Sequence, residues 1–243
     1  SIDVCTGGEL AVALRAGIDP ARIEFHGNNK SLREIDRAVA AGVGRIVVDS
    51  RTEIERVAEA ARRHGTRQPV LVRVTVGVEA HTHEYVSTAH EDQKFGLSLS
   101  GGQAAAAIRA VLDRDELELL GLHSHIGSQI FDTAGFEVSA RRLLGLHAEV
   151  AHEHGVAMPE LDLGGGFGIP YFAKDEPLDV EAVGKALAKT LAERPKILAD
   201  TEIAIELGRW LVGEAGVYLT RIVDRKESHG KIFLVTDGGL HHK

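Results

Sequence analysis

The chain is short of several residues that other folding strategies depend on. Among 243 residues there is one cysteine, one methionine and one tryptophan, and aromatics make up 5%. A lone thiol, Cys5, cannot close an internal disulfide. The fold is therefore no stapled secreted scaffold, and a reducing, cytoplasmic setting is expected. No apolar run approaches the roughly 20 residues that span a bilayer, and the stretch from Ser1 carries no signal-peptide pattern, so no membrane association is expected. Positive charge is scarce too. Lys and Arg number 28 against 36 Asp and Glu, a formal net charge of -8. That excludes a general nucleic-acid surface, which needs clustered basic side chains. What remains is ordinary for a globular protein with a sizeable core: 44% hydrophobic and 26% charged residues.

The strongest regularity is alternation of short β-branched runs with helical patterns that end in glycine. "RIVVDS" (Arg45 to Ser50) reads as a buried strand. The following "TEIERVAEAARRHG" reads as an amphipathic helix with Ile54, Val57, Ala58 and Ala61 on one face. Ser50 and Glu53 have the spacing of a capping box, and Gly65 suits the stop. The preceding unit repeats this with "RIEFHG", Ser31 and Glu34, and Gly42. Strands are expected near 2–5, 22–27, 45–49, 69–76, 117–125, 160–164 and 202–206, with helices at about 101–112, 133–154 and 180–192 between the later ones. Such alternation implies a parallel sheet, because each crossover must carry the chain back across it. Seven strands are one short of a (β/α)8 barrel, and the chain opens inside a strand. The expected fold is α/β, a TIM barrel lacking its first strand. After Gly208 two alternating runs, about 216–225 and 231–237, flank a polar Lys-Glu-Ser-His-Gly turn region. This is hairpin patterning. It divides the chain into a barrel, 1–212, and the start of an antiparallel β domain, 213–243.

In such barrels function gathers at the carboxyl ends of strands, and the unusual polar residues lie there. Asn28, Asn29 and Lys30 follow one strand, Arg73 lies in another, and His123, His125, Ser128 and Gln129 end a third. Gly164, Gly165 and Gly166 end a fourth; Glu206, Gly208 and Arg209 end a fifth. The glycine turn lets backbone N–H groups approach an anion, and Arg209 suits a phosphate or carboxylate. His123 and His125, two apart on a strand, share a face and suggest metal ligands. His81, His83, His241 and His242 are the other candidates, but no HExxH or comparable spacing occurs. A metal pair, satisfied core histidines and a ring packed on an organic cofactor all remain open, with the cofactor preferred and no metal assigned.

Taken in order, "SIDVCTGGELAVALRAGIDPARIEFHGNNK", "HTHEYVSTAHEDQKFG", "GLHSHIGSQI", "LDLGGGFGIPY" and "IELGRWLVGEAG" resemble the fold-type III pyridoxal-phosphate decarboxylases, with an alanine racemase-like barrel. The resemblance covers nearly the whole chain and is nearest to the diaminopimelate branch. From Ala204 onward the sequence also resembles decarboxylases of exopolysaccharide or exosortase loci, and Leu207 stands where the family commonly has proline. The resemblance implies decarboxylation of an amino acid, meso-diaminopimelate to L-lysine and CO2, with pyridoxal 5'-phosphate as cofactor. It also implies a homodimer with shared active sites. It assigns His125 to the face of the pyridine ring and Glu206 to its nitrogen. Ser128, Gly164, Gly165, Gly166, Gly208 and Arg209 are assigned to the phosphate, and Asp3 and Arg73 to the pocket floor. The family's Schiff-base lysine lies in a Y-A-x-K-A-N motif, and its catalytic cysteine in the C-terminal β domain. Neither occurs in this sequence, so the chain as written is expected not to turn over and Cys5 to be structural. The alternatives are a decarboxylase for another amino acid, a non-catalytic pyridoxal-phosphate carrier, and a metal-dependent barrel hydrolase.

Overall fold

The computed structural model describes residues 1–77, 94–99, 101–172 and 174–239. All seven expected strands form: β1 (Ile2–Val4), β2 (Ile23–Phe25), β3 (Arg45–Val48), β4 (Gln68–Thr75), β6 (Leu117–His123), β7 (Glu160–Asp162) and β8 (Glu202–Ala204). A two-residue strand, β5 (Leu97–Ser98), adds to β4. Every pairing in this sheet is parallel, in the order β1-β2-β3-β4-β6-β7-β8. The helices are α1 (Gly7–Arg15), α2 (Leu32–Ala41), α3 (Arg51–His64), α4 (Gln103–Leu112), α5 (Thr133–His154), α6 (Val180–Ala192) and the short α7 (Gly208–Val212). The sheet curls: Glu206, just past β8, reaches within 3.6 Å of His26, just past β2. A curled parallel sheet with its crossover helices is the TIM-barrel-like architecture expected. Among the described residues β1 pairs only with β2, and β8 only with β7.

Side chains of the central strands are buried on both faces, as parallel sheets require. Ile46, Val47, Val48, Val70, Leu71 and Val72 are each at most 1% exposed. Polar residues enter the curled interior as a layer. Arg73, His123 and Asp162 are register partners across β4, β6 and β7, and Asp3 and Glu24 are partners across β1 and β2.

Local chemistry sets most element ends. At α2 the capping box is complete: Ser31 Oγ accepts from Glu34 N at 3.3 Å, and the Glu34 carboxylate accepts from Ser31 N at 2.9 Å. At α3 only half of the expected box forms. Ser50 Oγ accepts from Glu53 N, but Glu53 Oε2 takes Asp49 N and its Oε1 takes the buried Lys30 ammonium at 2.5 Å. A buried cation outcompeted the helix cap for the carboxylate. Gly42 and Gly65 stop their helices in the left-handed conformation at φ 71° and 62°. Helix α4 starts two residues later than expected, because Gly102 caps it at φ 69°.

The hairpin is present but shifted. Strands β9 (Ile222–Ser228) and β10 (Lys231–Thr236) pair antiparallel, Ser228 opposite Lys231. The expected polar turn of five residues reduces to two, His229 and Gly230, both at positive φ (49° and 74°). This is the tight turn whose twist matches flanking strands, and it leaves Lys226, Glu227 and Ser228 in the ladder.

Candidate active site

Glu206 is the hub of the carboxyl-end cluster. Its Oε1 lies 2.9 Å from His123 Nε2 and 3.6 Å from His26 Nε2, and its Oε2 lies 3.3 Å from His125 Nδ1. His26 Nε2 also approaches Glu24 Oε1 at 3.4 Å and Asp3 Oδ1 at 3.9 Å. The rings of His26 and His123 meet edge to face, 5.1 Å between centroids.

Burial alone would raise Glu206, but His123, His125 and His26 hold it well below the usual carboxylate range. Burial pushes His123 down to about 4 against the pull of Glu206. It is therefore a neutral ring, and its contact to Glu206 places the proton on Nε2. Asp162 is pushed up to about 8, first by burial and then by Glu206 and Glu24. Two buried acids thus divide the work: the histidines fix the charge on Glu206, and Asp162 keeps its proton. Burial lowers His26, but its contact with Glu24 and the charges of Glu206 and Asp3 outweigh that and raise it.

A cleft of about 180 Å3 opens beside this hub. Asp3, His125, Ser128, Gly166, Glu206, Gly208 and Arg209, seven of the residues expected from sequence, line it. The other three do not. The Arg73 guanidinium lies 3.8 Å from Asp49 and 4.7 Å above the Phe95 ring. Gly164 N donates to Asp162 Oδ1 at 2.7 Å, and Gly165 N approaches His125 Nδ1 at 3.3 Å. Glycine is required in this turn for close packing. A Cβ on Gly164 would overlap the Ser124 carbonyl, on Gly165 that of Glu206, and on Gly166 that of Gly127. The turn locks together the ends of β6, β7 and β8.

Sequence reasoning gave no role to three participants, of which only Gln129 had been singled out by its place at a strand end. Glu24 on β2 and His26 just past it, two residues apart, share a face, which was a visible signal; the approach of His26 to Glu206 was not. Gln129 stands at φ 59° and clips its amide onto the Ile169 backbone at 2.8 and 3.1 Å, while its Oε1 meets Arg209 Nη1 at 3.4 Å. Lys30 is committed elsewhere, donating to Gly27 O, Val47 O and Glu53. Among the described residues the groups with metal-ligand spacing are His26–His123–Glu206 and Asp3–Glu24–His26, not a His123–His125 pair. His81, His83, His241 and His242 lie outside the described residues.

Comparison with known proteins identifies the family. Residues 1–213 match the model of the pyridoxal-dependent decarboxylases, pyridoxal binding domain. The chain is 48% identical over 250 residues to diaminopimelate decarboxylase of Mycobacterium tuberculosis, covering 98% of this chain and 56% of that protein. Against the Bacillus subtilis enzyme of the same name it is 44% identical, covering 99% and 56%. The chain thus spans about half the length of these curated relatives. The crystal structure of diaminopimelate decarboxylase from M. jannaschii superposes with a TM-score of 0.85 at 30% identity, covering 99% of this chain and 55% of that one. The Helicobacter pylori enzyme complexed with L-lysine gives 0.85 at 28%, covering 99% and 58%. The donor set fits pyridoxal phosphate: an anionic carboxylate suits a protonated ring nitrogen, a half-buried imidazole the ring face, and Arg209 with Ser128 a phosphate. The chain belongs to the pyridoxal-dependent decarboxylases, the family whose pyridoxal-binding domain its first 213 residues match.

Proposed function

We propose that the chain is the cofactor-binding barrel of an amino-acid decarboxylase acting on meso-diaminopimelate to give L-lysine and CO2. One observation carries the reading: an ionised carboxylate, Glu206, is held by three histidines at the wall of a cleft that Arg209 also lines. Residues 1–212 form the cofactor-binding unit, and 213–243 begin the β domain. The working form is a cytoplasmic homodimer with shared active sites.

Pyridoxal phosphate supplies an electron sink for the carbanion left by loss of CO2. This chain's residues make that sink effective. Glu206 favours the proton on the ring nitrogen, since an opposite charge within ~4–6 Å stabilises the charged form. His125, which lines the cleft, would hold the cofactor's ring against its imidazole. Arg209, Ser128 and the Gly208 backbone, together with Gly166, would hold the phosphate, and Asp3 would shape the floor, whereas Arg73 stands off the cleft against Asp49 and Phe95. Gly164 and Gly165 hold the strand ends that carry these groups. The L-lysine complexes described for the H. pylori and M. jannaschii enzymes among similar solved structures support a diamino acid as substrate.

The only tryptophan, Trp210, lines the cleft, so cofactor binding has a built-in reporter. Titration with pyridoxal phosphate is expected to quench Trp210 saturably. Arg209→Ala should weaken binding ~10- to 100-fold, the loss of one charge-assisted hydrogen bond worth ~1.5–3 kcal/mol. The loaded protein should bind meso-diaminopimelate more tightly than ornithine or arginine. No saturable quenching, or stoichiometric zinc instead of cofactor, sinks the proposal; tighter ornithine binding sinks the substrate.

A further inference from the structure

Three carboxylates converge on one nitrogen. Asp3 from β1, Glu24 from β2 and Glu206 beyond β8 all place an oxygen within 3.9 Å of His26 Nε2. His26 is 7% exposed, and its backbone N–H donates to Val4 O at 2.8 Å, which ties it to β1. Neither its Nε2 nor Glu24 Oε1 finds a conventional hydrogen bond, so what relates them is charge.

Other groups around the cluster do not meet this need. Arg45 on β3 reaches Glu24 at 3.5 Å but binds Glu160 more closely, at 2.7 Å. Arg73 on β4 faces Asp49. His123 on β6 donates to Glu206 as a neutral ring, Asp162 on β7 keeps its proton, and His125 sits on the opposite oxygen of Glu206. A neutral His26 would leave the buried Glu24 and the largely buried Glu206 without the cation between them, with the exposed Asp3 adding a third negative charge beside them, and like charges so placed repel.

We propose that His26 is a positioning residue: an imidazolium that holds Glu206 ionised and turned toward the cleft, and so sets how tightly the site grips a protonated ring nitrogen. The second half rests on the cofactor reading above; the first half does not. His26 need not touch the cofactor. It acts through Glu206, whose Oε1 it shares with His123 while Oε2 remains with His125.

Two measurements on the protein with 15N-labelled histidine test this. By NMR, both ring nitrogens of His26 are expected to carry protons at pH 7.5, a full unit above the ordinary histidine value of ~6.5. Glu24→Gln should lower the pH at which the second proton leaves. Separately, Trp210 quenching gives affinities for pyridoxal phosphate and for its deaza analogue, in which CH replaces the ring nitrogen. Wild type should prefer pyridoxal phosphate, and His26→Gln should shrink that preference ~10-fold while affinity for the analogue holds. Should His26→Gln not fold, Glu24→Gln should shrink it in the same direction. A single proton on His26 at pH 7.5, an unchanged preference in the folded variant, or zinc bound at His26, His123 and Glu206 in the isolated protein each overturns the inference. Failure of wild type to bind either ligand would instead overturn the cofactor reading, and NMR would still decide the charge on His26.

Discussion

His125 and His123 differ in burial more than in chemistry. His125 is half-buried and lines the cleft; His123 is fully buried behind it and 2.9 Å from Glu206. His125→Ala should therefore weaken cofactor affinity ~3- to 10-fold, the worth of a lost ring contact of ~0.5–1.5 kcal/mol, and leave the urea midpoint in place. His123→Ala should instead lower stability by ~1–3 kcal/mol, because a buried carboxylate loses its closest donor. Equal loss of cofactor affinity in both would refute this division. The glycines separate in the same way. Gly165→Ala pushes a methyl into the Glu206 carbonyl and should cut cofactor affinity at least ~10-fold. Gly184→Ala, on α6 with nothing within 4 Å, should raise stability by ~0.5–1 kcal/mol. The sequence displayed Glu206, His125 and Arg209 because each follows a strand or ends a motif. It could not display His26 as a partner, because β2 and β8 are brought together only by the curl of the sheet.

At the level of elements, sequence and structure agree where local chemistry decides. Helices α5 and α6 begin and end at the expected residues, each capped by an aspartate, Asp132 and Asp179. Disagreement appears where a distant partner intervenes or a turn is tighter than its composition suggests. Lys30 drew Glu53 away from the α3 cap, and His229 with Gly230 closed the hairpin in two residues. The Lys30–Glu53 pair fastens the segment after β2 to α3, with the lysine side chain wholly buried. Lys30→Met should cost ~3–5 kcal/mol, since it strands a buried carboxylate, and Glu53→Gln on the Lys30→Met background should recover part of that. Urea denaturation of the single and double variants measures the coupling, and full additivity would show that the pair is not a unit. Borohydride reduction with pyridoxal phosphate should label no adduct at Lys30, whose ammonium already has three acceptors.

For the whole molecule, the interior titrating groups push stability in opposite directions with pH, and their windows can be separated. His123 folds with its value lowered from 6.5 to about 4, so the unfolded chain takes up the proton first. Its contribution is intact above pH 6.5 and is lost as pH falls toward 4. Asp162 is the reverse: raised from 3.8 to about 8, it binds its proton more tightly when folded, and its contribution fades as pH rises through 8. His26, raised above 6.5, also loses its contribution on the alkaline side. Glu206 and Glu24, both lowered, favour the fold above the ordinary glutamate range and withdraw that support in acid. Between about pH 4 and 6.5 the slopes of His123 and Asp162 oppose each other, whereas above 6.5 the losses from Asp162 and His26 are no longer opposed by His123. The urea midpoint should therefore be highest near pH 6 and fall toward pH 8.5. Asp162→Asn, which keeps the acceptor for Gly164 N and removes the titration, should flatten that alkaline fall and, with the slope of His123 no longer opposed, steepen the rise between pH 4 and 6.5. A fall of equal steepness in the variant would mean that Asp162 is already ionised in the folded protein, and that Glu206 shares its buried site with a second negative charge.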